Sequence, residues 1–433
     1  MLNLNQMRFK AQPCLLALAM GMVVCSFALG SSIDELSWVP LDHPAIKYWG
    51  DADDPVARLE KKLEAGTAHL DFAQDGRGYL ASLLKNLDVN PDSQMLVFSK
   101  TSFQAARISP TTPRALYFND NVAVGFVQQG DVLELAALDP KQGEMFYTLD
   151  IHKTDKPGFA RRDVCIQCHA SPGTLGVPGI LVSSVYPDSS GQPNLRAGDV
   201  ATDDRSPIDQ RWVGWFVTGK SGFQQHMGNA VVHDQRWPQV LDRDGTQNLT
   251  SLRTKVSTAP YLLPTSDIVA LMTLEHQTRM TDLMIRTGWD TRIAQQTGKM
   301  DDPATKAKID GDIQELVTYM LFGDEARLED PIEGVSLFTQ TFPERGPRDS
   351  KGRSLRDFDL KTRMFRYPLS YMIYSEAFDG MPEYDRERIW QRVYQVLNGR
   401  DSSKKFARLS AEDRQAILEI VRDTKSNVPV YWK

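Results

Sequence analysis

Two cysteines and a histidine stand within five residues of one another, as Cys165-Ile166-Gln167-Cys168-His169. Two thiols at this spacing can add to the two vinyl groups of one porphyrin, which leaves the adjacent imidazole at the iron as an axial ligand. The chemistry indicated is covalent attachment of one haem c through Cys165 and Cys168, with His169 on the iron. Three other chemistries use the same residue types. A redox dithiol sits between a strand and a helix N-terminus in a βαβ setting, which the antiparallel pattern around the motif does not supply. A structural zinc site needs four ligands, and no second cysteine pair follows. A disulfide between Cys165 and Cys168 would close too small a loop to stabilise much.

The other two cysteines, Cys14 and Cys25, belong to a different pattern. Arg8 and Lys10 precede an apolar run of 17 residues from Cys14 to Gly30, which ends in Ala28-Leu29-Gly30. A basic start, a short apolar stretch and small terminal residues are the layout of a secretory signal, and the run falls short of the roughly 20 residues of a membrane span. Retention as an anchor is the alternative. Lipidation at Cys25 is disfavoured, because Met22-Val23-Val24 lacks the small residues such a site requires. Cleavage after Gly30 leaves 403 residues, a net charge of −8 and only Cys165 and Cys168. The expected location is the periplasm or another extracytoplasmic compartment, with no stable membrane span after signal cleavage.

The 50 Lys and Arg against 56 Asp and Glu give a net charge of −6 with no long basic block, so the surface that neutralises phosphates is missing and nucleic acid is excluded as a partner. A hydrophobic content of 41% and 8 Trp mark a globular chain rather than a disordered one. Its 433 residues leave room for two or three folding units.

The elements that must position the motif follow from periodicity. After the signal at 1–30, a helical lead-in occupies 31–93, where Leu80, Leu83, Leu84 and Leu87 recur at helical spacing. A β-rich haem domain follows over 94–264. Runs at Met95–Phe98, Ala115–Phe118, Val122–Val127, Val132–Leu138 and Met145–Leu149 are separated by short turns, which predicts an antiparallel meander. Ile180–Tyr186 and Trp212–Thr218 are expected in the same sheet, with Pro187–Pro207 as a surface loop between them. The remainder, 265–433, reads as all helical: Asp267 to about Thr297, Thr305–Leu321, Arg366–Phe378, Asp385–Leu397 and Ala411–Arg422. Ser410 and Asp413 open the last helix as a capping box. The fold class is therefore α+β, a central antiparallel haem-bearing unit between a helical N-terminal segment and a C-terminal helical region.

An electron-transfer iron takes a second protein ligand. His226 and Met227 follow the apolar run Trp212 to Val217 and could border the same pocket. His276 shares a stripe with Met272, Met280 and Leu283 on the helix from Asp267, with Arg279, Asp282 and Arg286 elsewhere on its surface. Met381, in Gly380-Met381-Pro382, is a further candidate, and an open position is the remaining one. Arg161 and Arg162 precede the motif, where they could pair with haem propionates. Arg356, Lys361, Arg363 and Arg366 alternate with Phe358, Phe365, Tyr367 and Tyr371, which reads as an amphipathic helix packed on the sheet.

Cys165, Cys168 and His169 resemble the attachment motif of c-type cytochromes, and Gly176-Val177-Pro178-Gly179-Ile180 is similar to the turn that shields the haem edge in that family. The resemblance covers about twenty residues and does not extend to the small all-helical class I domain. The segments at 98–102 and 113–120 are similar to those of large exported single-haem proteins, and a β unit ending in CxxCH resembles PAS-like haem domains. The resemblance implies one covalently bound haem c and one-electron transfer with redox protein partners that carry basic docking patches. The alternatives are a peroxidase-like haem oxidoreductase and a PAS-like haem sensor, with electron transfer placed ahead of enzymatic activity.

Overall fold

Alternating side chains and tight turns build an antiparallel sheet on which the motif rests. The computed structural model describes residues 40–194, 196–401 and 403–432; the signal-like stretch, with Cys14 and Cys25, lies outside them. Two helices, α1 (Pro55–Glu64) and α2 (Leu80–Asn86), precede the strands β1 (Met95–Val97), β2 (Arg114–Phe118), β3 (Val122–Phe126), β4 (Val132–Asp139), β5 (Gly143–Asp150) and β6 (Phe159–Arg161). The motif forms the short helix α3 (Ile166–His169), followed by β7 (Val182–Val185), β8 (Asp199–Thr202) and β9 (Trp215–Phe216). Seven strands pair antiparallel in the order β6-β5-β4-β3-β2-β1-β9, a meander closed at its far edge by a late strand.

Cross-strand register sorts the residues of this sheet onto two faces. Tyr117, Val124, Leu135 and Tyr147 form one buried row. It is closed by α1, whose N-terminal cap Asp54 accepts a 2.6 Å hydrogen bond from the Tyr147 hydroxyl. The neighbouring row, Leu116, Gly125, Glu134, Thr148 and Ala160, points to the opposite face. That second face receives the motif.

The C-terminal half contains α4 (Ile268–Gln296), α5 (Pro303–Met320), α6 (Phe338–Glu344), α7 (Glu376–Gly380), α8 (Glu383–Leu397) and α9 (Ala411–Thr424). The chain is thus α+β, with helices before the sheet and after it. Asp267 caps α4 by accepting hydrogen bonds from the Val269 and Ala270 amides, and Ser410 with Asp413 caps α9 as expected. The described residues form one compact unit with one continuous apolar core.

Four local expectations are corrected. Strand β7 does not join the main sheet but pairs with β8 as a separate two-stranded ribbon, and β8 lies inside the stretch read as loop. The edge beside β1 is already filled by β9, so β7 finds its partner locally. No helix spans 366–378: Pro368 lacks an amide proton and forces Tyr367 out of the helical region, so only a 3-10 turn at Tyr371–Tyr374 and the short α7 form. The aromatic and basic residues of 356–371 are therefore not an amphipathic helix; Arg356 lies buried against the rings of Phe342 and Tyr371 and pairs with Asp120. Finally, the apolar stripe of α4 that carries His276 is buried as expected, but Asp282 and Arg286, placed elsewhere on the helix surface, are buried too. Glu275, His276, Asp282 and Arg286 are all buried, because α4 is packed by β7 and by α5 to α8.

Candidate functional site

Cys165 and Cys168 lie on successive turns of a tight 3-10 and α segment that runs out of the edge strand β6. Both thiols are free; Cys165 is half-buried and Cys168 exposed. Burial, then the Glu134 carboxylate, raises the Cys165 thiol above its ordinary range. A dithiol oxidoreductase needs the reverse, a lowered thiol at a helix N-terminus, so this environment does not favour thiol–disulfide exchange. Among the described residues no cluster of three or more His, Cys, Asp or Glu could hold a metal ion, so no side-chain zinc site forms around the pair.

His169 is set by its surroundings in one tautomer. Its Nδ1 lies 2.9 Å from the Gly179 carbonyl oxygen, which can only accept, so Nδ1 carries the proton and Nε2 the lone pair. The Gly179 amide in turn donates to the His169 carbonyl at 2.8 Å, which closes a two-bond clasp. Phe146 of β5 packs on the ring with centroids 4.7 Å apart. Burial lowers the tendency of the imidazole to protonate, so it is neutral at pH 7. Nε2 makes no hydrogen bond to any described residue.

The clasping loop is itself braced. Ser171 and Thr174 form a capping box, and Leu175 and Gly176 turn the chain through left-handed backbone at φ 57° and 74°. Arg286 of α4 donates to the Leu175 carbonyl at 3.0 Å, and the Glu144 amide donates to the Pro178 carbonyl at 3.0 Å. A methyl group on Gly179 would overlap Asp282 Oδ1, so the close approach of α4 requires glycine there.

Among the charged and polar residues exposed around the cysteines stands one large apolar side chain, Val164, and a second, Phe103, is exposed on the β1–β2 connection. Val164 is 59% exposed and Phe103 63%. The residues that flank Phe103, Ser102 and Gln104, both donate to Glu134 Oε1, at 2.5 and 2.8 Å, and Glu134 is the carboxylate that acts on the Cys165 thiol. Glu134 also pairs with Arg114 at 2.9 Å. Arg162 donates through Nε to Thr148 at 2.8 Å, and its two terminal nitrogens make no hydrogen bond to described residues. This fits a haem: two free thiols, an imidazole nitrogen with its lone pair available, uncovered apolar side chains and one guanidinium for a carboxylate.

The other nominated residues are not gathered here. Arg161 points to the opposite face, where it donates to the Tyr48 and Gly50 carbonyls and stacks on Tyr48 and Trp49, so it ties down the N-terminal segment instead of meeting a propionate. His276 has both ring nitrogens engaged, with Asp204 at 2.9 Å and Ser370 at 2.8 Å, inside a sealed aromatic cage. That trio has the distances of an acyl-transfer triad, but all three residues are buried and leave no space for a carbonyl substrate. His226 is the inverse of His169: its Nδ1 accepts from the Gly228 amide at 3.1 Å, which puts the proton on Nε2. Burial pushes its pKa down to about 3. Met227 is buried against the Tyr186 hydroxyl, 3.9 Å from its sulfur. The Met227 and Asn229 amides bond to the Arg211 and Trp215 carbonyls, which lays this segment along β9, five strands from β5. Met381 is buried at the α7–α8 junction, where Gly380 packs on Pro140. None of the described contacts joins these residues to His169.

Sequence reasoning missed Phe146, Glu134 and the Gly179 carbonyl. Gly179 had a signal, a glycine after proline shortly beyond the motif, but its task as acceptor for His169 depends on a loop closure that only the fold supplies. No helix among the described residues is long and apolar enough to cross a membrane. The chain matches no family model, no curated protein and no solved structure.

Proposed function

We propose that the chain is an exported single-haem c-type cytochrome, with one haem c held by thioether bonds to Cys165 and Cys168 and its iron ligated by His169 Nε2. The tautomer of His169 carries the reading, because the Gly179 clasp presents an available lone pair one residue from a free thiol. Once bound, the cofactor supplies a one-electron couple. The chain's own residues do the rest. Gly179 fixes the ring and raises the basicity of Nε2, as carbonyl acceptors do for metal-bound imidazoles. Arg162 offers its terminal nitrogens to a propionate, and Phe146 packs on the imidazole and shields that side of it from water. The negative charge of the chain suits redox proteins with basic docking patches, through weak and salt-sensitive encounters.

The test is expression alongside a haem-attachment system, followed by intact mass and haem extraction in acid. The expected result is one covalently retained haem that Cys165→Ala with Cys168→Ala abolishes. His169→Ala should retain covalent haem but change its spectrum. A mass equal to the bare polypeptide would overturn the reading.

One observation favours a second reading. His226, Met227 and His276 all lie away from His169, which supports an iron whose sixth position takes water or a small molecule, as a peroxidase-like oxidoreductase or a PAS-like sensor would use. A high-spin reduced spectrum and rapid carbon monoxide binding would support this reading; a low-spin reduced spectrum with no binding would remove it.

A further inference from the structure

Two buried acids lie on either side of the loop that clasps His169, and neither carboxyl has a hydrogen-bond partner that would explain its burial. Glu144 projects from β5, two residues before Phe146, and is 5% exposed; Asp282 projects from α4 and is 2% exposed. Glu144 Oε2 and Asp282 Oδ1 are fully enclosed with no hydrogen bond. The loop between them is gripped from both sides, by the Glu144 amide on the Pro178 carbonyl and by Asp282 Oδ1 against Gly179. Neither acid bonds to His169 itself.

Burying a carboxylate with no partner costs several kcal/mol, so such a group holds its proton instead. Burial, then the Asp54 carboxylate, raises Glu144 to about 8, and burial raises Asp282 as well, against the opposing charge of Arg279. The charged and titratable groups facing the pair are few. Asp54 approaches from α1, Tyr48 donates its hydroxyl to the Glu144 carbonyl, Arg279 and Arg286 come from α4, and the segment from Thr174 to Leu181 contains none. An added positive charge on the far side of this thin loop would stabilise the carboxylates, and its removal would favour their protonated forms.

We propose that Glu144 and Asp282 form a proton site linked to the oxidation state of an iron held on His169. One carboxylate of the pair would bind one proton from solvent on one-electron reduction of such a site by a redox protein. On oxidation, the electron leaves to the next partner and the proton returns to solvent. This rests on the haem reading above and adds a coupling that the reading does not require.

The experiment is potentiometric titration of the haem-loaded full chain between about pH 6 and pH 9, for the wild type, Glu144→Gln and Asp282→Asn. The wild-type midpoint potential should fall as pH rises, toward a limit of about 59 mV per pH unit, the value of a tenfold change for a one-electron couple. At least one amide variant should flatten that slope. In parallel, the reduced-minus-oxidised infrared spectrum of the wild type should gain the carbonyl stretch of a protonated carboxyl, which needs no variant to fold. A pH-independent wild-type potential, a slope unchanged in both variants, or no carboxyl band would each overturn the coupling while leaving the haem reading intact. Absence of covalent haem would remove both.

Discussion

His169 and His276 are anchored through the same ring nitrogen and have opposite fates. Each ring donates through Nδ1, to the Gly179 carbonyl in one case and to the Asp204 carboxylate in the other, so both place the lone pair on Nε2. At His276 that lone pair accepts from the Ser370 hydroxyl, and the ring is stacked between Tyr319 and Phe322 with no exposure. At His169 the lone pair meets no hydrogen-bonding group among the described residues, and the Cys168 thiol and the Val164 side chain near it are exposed. The first arrangement spends its bonding capacity internally and so stabilises the fold. The second leaves bonding capacity unspent, and this is what the proposed haem reading draws on.

The comparison breaks most readily at its sealed end. His276→Ala removes two buried hydrogen bonds and the ring at the centre of an aromatic cage, and should cost about 3 to 5 kcal/mol in urea unfolding. His169→Ala in the cofactor-free chain should cost about 1 kcal/mol, for one hydrogen bond and one tilted ring contact with Phe146. Equal losses would erase the distinction between the two sites.

A pH test sharpens the same contrast. In the helical half, burial raises the Asp385 carboxyl to about 7, and its Oδ2 has no hydrogen bond. A carboxyl raised above its unfolded value contributes stability below about pH 4 that is lost as pH rises through the folded value. Asp385→Asn should therefore match the wild type near pH 4 and exceed it by about 2 to 4 kcal/mol near pH 8. An advantage that shrinks with rising pH would contradict the assignment.

At the open end, Gly179→Ala forces the clasping loop away from Asp282 and should cost about 1 to 3 kcal/mol. Because the displaced carbonyl no longer orients the imidazole, the haem-loaded variant should also show an altered spectrum while keeping its covalent link. The smallest effect is expected far from both histidines: Ser410→Ala removes the α9 cap, at a cost of about 1 kcal/mol, and should leave haem retention unchanged.

Much of this architecture was readable from periodicity and punctuation. The meander from β1 to β5, the long α4 behind Asp267 and the capped α9 all follow from local pattern, because alternation, turns and caps act over a few residues. What failed depends on distant partners. Whether the run at 180–186 pairs with the meander or with β8 is decided by which edge is already filled. The run at 366–378 lost to a proline whose effect outweighed its amphipathic pattern. At the site, Cys165, Cys168 and His169 could be singled out as a motif, but the tether at Gly179, the face of Arg161 and the satisfied state of His276 come from the tertiary arrangement. A histidine on a helix looks the same in a string of letters whether its second nitrogen is engaged or available.

The order in which the chain is made adds a constraint. The wall behind the His169 clasp is Asp282, about a hundred residues downstream of Gly179, and α4 follows the whole sheet in sequence. A nascent polypeptide can pair β1 to β5 early, but the bend that orients the imidazole has no backing until α4 has been synthesised. Any enzyme that modifies Cys165 and Cys168 thus meets either a pliable segment before that moment or a braced one after it, and a fragment ending before Asp267 would keep the thiols without the brace.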